Sequence, residues 1–195
     1  MLKNQTNINP NGNYALTKFQ GEKICNEYRN KGLKIAIVRP SVLIGRKRLG
    51  IYKIIFKNLF QDNRIPVLGN GKNKISFVHI NDFTDFLFEL AVKKTDGLVV
   101  NFGGIIPGNL NDVVNELKKH TASQSNILHI PLGLIPILKL LAKIKLLPVT
   151  PWQISVMHKD YFYDNKVLFS TGFNYKYHPL DAIKDMADYY KQNKN

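Results

Sequence analysis

A single cysteine, Cys25, stands in 195 residues, which excludes an intramolecular disulfide and any multi-cysteine zinc site. No metal centre is expected, and a reducing, cytoplasmic setting fits best. Acidic residues are scarce, with 14 Asp+Glu against 28 Lys+Arg and a net charge of +14. That imbalance admits an anionic partner without requiring one. Nucleic acid is set aside, because the basic residues are scattered among acids and no nucleic-acid module is visible. Long apolar runs are also missing. A span needs about 20 mostly apolar residues, and the nearest approach, Ile130 to Val149, is broken by Lys139, Lys143, Lys145, Pro136 and Pro148. The polar, Asn-rich start, Met1 to Asn13, has no apolar segment of the kind export requires.

What is present suffices for a core: 44% of residues are hydrophobic and 22% charged. Asn9-Pro10-Asn11-Gly12-Asn13 is turn chemistry. Beyond it, Tyr14 to Lys31 has helical spacing and stops at Gly32. Leu33 to Val38 reads as a strand that Pro40 ends. A helix over Ile51 to Phe60 follows, then a glycine-punctuated hairpin region from Pro66 to Lys72. Next come a strand over Ile75 to Ile80 and a helix capped by Asn81 or Asp82. Further strands are expected at Leu98 to Phe102 and Ile127 to Ile130. Helices are expected over Asn109 to Lys119, Leu132 to Leu147 (bent) and Asp181 to Lys191. No repeat or low-complexity linker interrupts this order, so one mixed α/β unit spanning 1–195 is expected.

Tyr14 and Lys18 are four residues apart, which on a helix places a phenol and an ammonium on one face. An ammonium beside a phenol favours the phenolate, and such a tyrosine can exchange a proton with a substrate hydroxyl while a carrier moves hydride. The spacing alone is equally that of an ordinary surface pair.

The surroundings add to this. Asn13-Tyr14-Ala15-Leu16-Thr17-Lys18-Phe19-Gln20-Gly21-Glu22 resembles the catalytic helix segment of the extended short-chain dehydrogenase/reductases, the NAD-dependent epimerase/dehydratase family. Val38-Arg39-Pro40-Ser41-Val42-Leu43-Ile44-Gly45 resembles the family's following strand end. Gly69-Asn70-Gly71 with Ser76-Phe77-Val78-His79-Ile80-Asn81-Asp82 resembles a third element, and Val100-Asn101-Phe102-Gly103-Gly104 a fourth. Asp164-Asn165-Lys166 with Thr171-Gly172-Phe173 resembles the last.

The resemblance implies a catalytic acid/base at Tyr14 and a ribose-binding lysine at Lys18. It implies cofactor contact by both and by Pro40, Ser41 and Val42, and a nucleotide-sugar diphosphate near Lys72 and Lys74, unless those are solvated loop lysines. Arg39 and His79 are expected to be structural. A dinucleotide-binding fold opens with strand, glycine-rich turn and helix, yet only 13 residues precede Tyr14. The expectation is therefore the C-terminal part of a Rossmann-like, doubly wound parallel sheet plus a small mixed α/β substrate-binding region. In this reading 13–45 form the catalytic helix and following strand, and 46–195 the mainly substrate-binding part.

The function expected is that of an NAD(P)-dependent nucleotide-sugar epimerase, dehydratase or reductase, truncated, with weak or absent NAD or NADP binding by this chain alone. A homodimer, or a partner chain supplying the N-terminal Rossmann half, is possible on this reading. The alternatives are a non-catalytic remnant or subunit, and an enzyme lying on a membrane surface and acting on a lipid-like substrate. In the last, Leu134, Ile135, Leu138, Leu141, Ile144 and Leu147 would face the acyl boundary; the membrane is the disfavoured partner, and a helix packed on the core is preferred.

Overall fold

The structure is a computed structural model that describes residue 10 and residues 12–193; most of the expected Asn9–Asn13 turn lies outside them. The helices are α1 (Asn13–Asn30), α2 (Tyr52–Leu59), α3 (Ile80–Val92) and α4 (Leu110–Thr121), interspersed with the strands, and α5 (Ile135–Lys143), α6 (Pro151–Val156), α7 (Lys166–Ser170) and α8 (Pro179–Gln192), which follow the last strand. The strands are β1 (Ile37–Pro40), β2 (Val42–Ile44), β3 (Ile65–Leu68), β4 (Phe77–His79), β5 (Val99–Phe102) and β6 (Ile127–Ile130). They form three parallel pairs, β1 with β5, β2 with β4 and β3 with β6. At least one helix separates the members of each pair, as parallel pairing requires.

Two expectations are corrected here. The fold is a Rossmann-like α/β arrangement, not a parallel remnant joined to a mixed region: every ladder among the described residues is parallel, and antiparallel contact is confined to the isolated bridges Lys74↔Asn109 and Phe77↔Ile105. The hairpin expected over 66–72 is absent. Residues 65–68 pair in parallel with the distant 127–130, and the glycine turn only leads the chain away. Gly71 suits that turn because its φ of +67° is one that L side chains rarely adopt, and a Cβ would also displace the Asn111 amide, 1.9 Å away at Oδ1.

Alternation along the strands divides the core between two faces. Phe77 and Ile44 join α2, α4 and α8 through Phe56, Leu59, Val114, Leu117, Ile183 and Met186. Val78, Val100 and Phe102 turn to the other face, against Phe86 and Leu90 of α3 and Leu168 of α7. Helices on both faces of parallel strands explain why β4 and β5 read as nearly continuous apolar runs. A third, smaller cluster joins Leu68 to Ala142 of α5 and Ile154 of α6.

Local chemistry fixes the helix starts. Asn109 and Asp112 form a reciprocal capping box on α4, and Thr150 and Gln153 do the same on α6, with Pro151 at its first position. On α3 the expected cap is corrected: His79 Nδ1 accepts from the Asn81 N–H at 3.1 Å. Asp82 lies inside the first turn, buried, and accepts the Lys176 N–H at 2.9 Å, tying the C-terminal segment to α3.

Candidate functional site

The site is built where α1, the β1–β2 junction and the segment 161–163 meet. Tyr14 opens α1 and is 75% exposed, and Lys18 Nζ lies 5.6 Å from its ring centroid, so the helix does place both on one face. The contact is an ammonium over the ring. Thr17 Oγ1 donates to the Tyr14 carbonyl at 2.8 Å. No residue of α1 is fully buried, Ala15, Phe19 and Cys25 being only partly so, and polar ties add to its attachment. Arg39 of β1 grips Glu22 of α1 with two hydrogen bonds, Nε to Oε1 at 2.8 Å and Nη2 to Oε2 at 2.6 Å. The Glu22 hydrogen bond holds the half-buried guanidinium firmly protonated, against desolvation. At the far end of α1, Arg29 donates to the Ile35 carbonyl at 2.9 Å, and Asp96 accepts the Ile35 N–H at 2.8 Å.

The segment Pro40-Ser41-Val42 runs between the two ladders. Its polar groups are already engaged: the Ser41 N–H donates to the Phe102 carbonyl at 2.9 Å, and its hydroxyl donates to the Ser76 carbonyl at 2.8 Å. What the segment offers outward is the surface of Pro40 and Val42, both only partly buried.

Lys72 and Lys74 are exposed, and neither ammonium has a hydrogen-bond or ion-pair partner among the described residues. The structure does not bring them to Tyr14 by direct contact. The main chain supplies a link instead, since the Lys74 carbonyl accepts from the Tyr161 N–H at 2.8 Å. Tyr161 and Tyr163 share a hydroxyl hydrogen bond of 3.1 Å.

Tyr163 is the residue that sequence reasoning missed. Burial pushes its phenol well above the ordinary tyrosine value, assisted by its hydrogen bond to Tyr161; Arg39 opposes the shift and Tyr14 adds to it. Tyr14 and Tyr163 are thus within electrostatic reach of each other, although 149 positions separate their numbers (163 − 14). No local pattern marks such a pairing. Beside them, Asn165 accepts the Gly103 N–H at 2.9 Å and donates to the Gly104 carbonyl at 3.1 Å, while Tyr175 Oη accepts the Gly104 N–H at 2.9 Å. These glycines serve close packing: a Cβ on Gly104 (φ +74°) would lie 2.1 Å from the Phe77 carbonyl oxygen.

Parallel strands with helices on both faces, and a tyrosine–lysine helix leaning on the end of a strand, define a Rossmann-like α/β protein with a candidate proton-transfer pair. The family model for the NAD dependent epimerase/dehydratase family matches residues 2–103, just over half of the chain, and the chain belongs to that family. An uncharacterized protein, y4nG, from Sinorhizobium fredii (strain NBRC 101917 / NGR234) is 29% identical over 194 residues, covering 97% of this chain and 48% of that protein. The UDP-N-acetyl-alpha-D-glucosaminuronate decarboxylase of Bacillus cytotoxicus is 25% identical over 123 residues, 60% of this chain and 38% of that enzyme. Among solved structures, UDP-glucuronic acid 4-epimerase from Bacillus cereus in complex with NAD superposes with a TM-score of 0.73 at 19% identity, over 98% of this chain and 56% of that one. The chain therefore spans half or less of the length of these curated relatives.

The family match also corrects the expected placement. It lies on residues 2–103, the N-terminal half of this chain. It takes in β1 and β5, a parallel pair. The chain is thus a Rossmann-like member of the family, and the match over its N-terminal half overturns the expected C-terminal portion lacking a glycine-rich half.

Proposed function

We propose that this chain carries the proton-transfer edge of an NAD(P)-dependent enzyme acting on a nucleotide-linked sugar, with Tyr14 as acid/base and Lys18 as its electrostatic partner. The observation that carries the reading is the shared, solvent-facing placement of the two groups on α1, in a family whose solved relatives include epimerases complexed with NAD and with UDP-sugars.

The residues present suit the nicotinamide end of such a cofactor. Among the described residues, the Lys18 ammonium has no anionic partner, so it is free to donate to ribose hydroxyls, and the Tyr14 hydroxyl is similarly uncommitted. Pro40 and Val42 offer apolar surface, whereas Ser41 is engaged with Ser76. The cofactor, when bound, supplies hydride transfer. As a phenolate, Tyr14 takes a proton from the sugar hydroxyl and becomes a neutral phenol, and Lys18 stabilises the phenolic negative charge that is present before that transfer. Lys72 and Lys74 would meet the diphosphate of the substrate as point charges.

The test is cofactor reduction on mixing the protein with NAD or NADP and a UDP-hexose, followed by absorbance in a single turnover. Removing the proton acceptor in Tyr14→Phe should slow that step by about 10²- to 10⁴-fold, with cofactor affinity retained. Lys18→Ala should weaken the cofactor complex as well. Equal single-turnover rates for Tyr14→Phe and the unmodified chain would remove Tyr14 from the chemistry.

A further inference from the structure

The helix α5 carries two apolar faces, and the core uses only one of them. Ile135, Leu138 and Ala142 point inward to the cluster formed with Leu68 and Ile154. The opposite face, Ile137, Leu140 and Ile144, is more than half exposed at every position. Leu146, 67% exposed in the turn after α5, and Trp152, 57% exposed on α6, which packs against α5, add to the apolar surface of this part of the fold. Its members differ from those expected from the sequence to meet a membrane: Ile135, Leu138 and Leu147 pack in the core cluster, while Ile137, Leu140 and Trp152 take the outer positions. Exposed aliphatic side chains gathered in one place mark an interaction surface.

Charge indicates what covers it. From Leu117 to Lys159 the sequence contains no Asp or Glu, although Lys139, Lys143 and Lys145 lie within or directly after α5. None of these three ammonium groups has an ion-pair partner among the described residues. In helical projection Lys139 and Lys143 fall on a flank between the buried and the exposed faces (100° per residue), where long stems can lie along apolar surface while the heads reach outward. An apolar face with a tryptophan at its rim and unpaired lysines on its border suits the boundary between acyl chains and anionic headgroups. The described helices include none long and apolar enough to cross a membrane, so the arrangement is one that lies on the surface.

We propose that the outer face of α5 and the adjoining end of α6 form a docking surface for an anionic lipid bilayer, with Ile137, Leu140, Ile144 and Trp152 entering the interface and the three lysines meeting headgroup phosphates. This surface belongs to the third core cluster and makes no use of Tyr14 or Lys18, so it stands or falls separately from the proposed chemistry.

Trp152 is the only tryptophan in the chain, which makes its emission a direct report on this face. The experiment mixes the protein with vesicles of phosphatidylcholine alone and with vesicles containing roughly one-third phosphatidylglycerol, at low and high salt, and reads cosedimentation and Trp152 fluorescence. The expected result is binding and a blue shift with the anionic vesicles, both reduced by salt. Leu140→Glu, at an exposed position, should abolish both with an unchanged circular dichroism spectrum. Exchanging Lys139, Lys143 and Lys145 together for Gln should weaken binding about a hundredfold or more. Absence of binding to anionic vesicles at low salt overturns the proposal, as does equal binding to neutral vesicles. Self-association of the unmodified chain that Leu140→Glu removes, without any blue shift on lipid, would overturn it too and give the face to a second copy.

Discussion

His79 illustrates how much a single side chain can do without entering any reaction. Its Nδ1 accepts from the Asn81 N–H, its ring stacks on Tyr177 at 4.6 Å between centroids, and burial lowers its pKa below the ordinary histidine value despite Asp82, Asp181 and Asp185 nearby. A proton on Nδ1 would remove the acceptor that caps α3. The linkage sign follows from the direction of the shift: a histidine whose folded pKa is depressed contributes stability above its unfolded value near 6.5, and that contribution is lost as pH falls through the folded value. The melting temperature should therefore drop as pH falls below about 6.5, and His79→Asn, which keeps a capping acceptor, should flatten that part of the profile. Thermal melts of both proteins across the same buffers test this.

The hydrogen-bonding role expected for His79 was legible because its motif context constrained it. Asp82 was misread as the cap, since a carboxylate near a helix start is ordinarily one. Here its tertiary partners, the Lys176 and Tyr177 backbones, lie more than 90 residues away. Tyr163 was invisible for the same reason. Of its neighbours, Tyr161 is local, but Arg39 and Tyr14 are brought to it by the fold from distant parts of the sequence.

Among the elements, α1 is the one whose attachment differs in kind. The other long helices bury apolar residues fully, whereas the α1 stripe of Ala15, Phe19 and Cys25 is only partly buried. It holds to β1 through Glu22–Arg39 and to the start of that strand through Arg29 and Asp96. Charge-assisted pairs of this sort contribute about 1.5–3 kcal/mol when well made, and this one is reduced by its partial exposure. Arg39→Met should then loosen α1 locally while leaving the two apolar clusters intact. Hydrogen exchange should accelerate across 13–30 with little change in the rates of β4 and β5. Uniform acceleration throughout the chain would show instead that α1 is part of the main cooperative unit.

β2 was not marked as a strand, whereas β1, β4, β5 and β6 were recognised from their β-branched and apolar runs, within a few residues. Their partners were not, because parallel pairing is decided by which faces the helices cover. The 66–72 segment shows this best: glycine punctuation beside an apolar strand suggested a hairpin, and yet the neighbour of β3 arrives some 60 residues later as β6. Gly104 makes the complementary point. Its need for glycine arises from the approach of the Phe77 carbonyl and from its positive φ. Gly104→Ala should consequently destabilise the protein by more than the ~1 kcal/mol of an ordinary glycine exchange, as read by the urea midpoint.

For the molecule as a whole, the sheet layer separates two apolar faces that must cooperate for the fold to exist. Phe102 is fully buried on one face and lies against Phe83, Phe86, Phe173 and Tyr175 with ring centroids 5.0–5.8 Å apart. Phe56, equally buried, fills the other face beside Tyr190. Truncating either to alanine should cost about 3–5 kcal/mol, a large fraction of the roughly 5–15 kcal/mol that holds a domain together. Tyr14→Phe, at a surface position, should cost nearly nothing, which separates loss of chemistry from loss of fold. Because Phe56 and Phe102 belong to different clusters across the strand layer, their individual costs should add within about 0.5 kcal/mol. A measured coupling well above that would mean that the strands transmit packing between the faces. Urea unfolding of both single variants, monitored by far-UV circular dichroism and by Trp152 emission, is the measurement. The two signals should fall together if the faces and the α5–α6 cluster unfold as one unit, and Trp152 changing first would mark that cluster as a separately melting part of the chain.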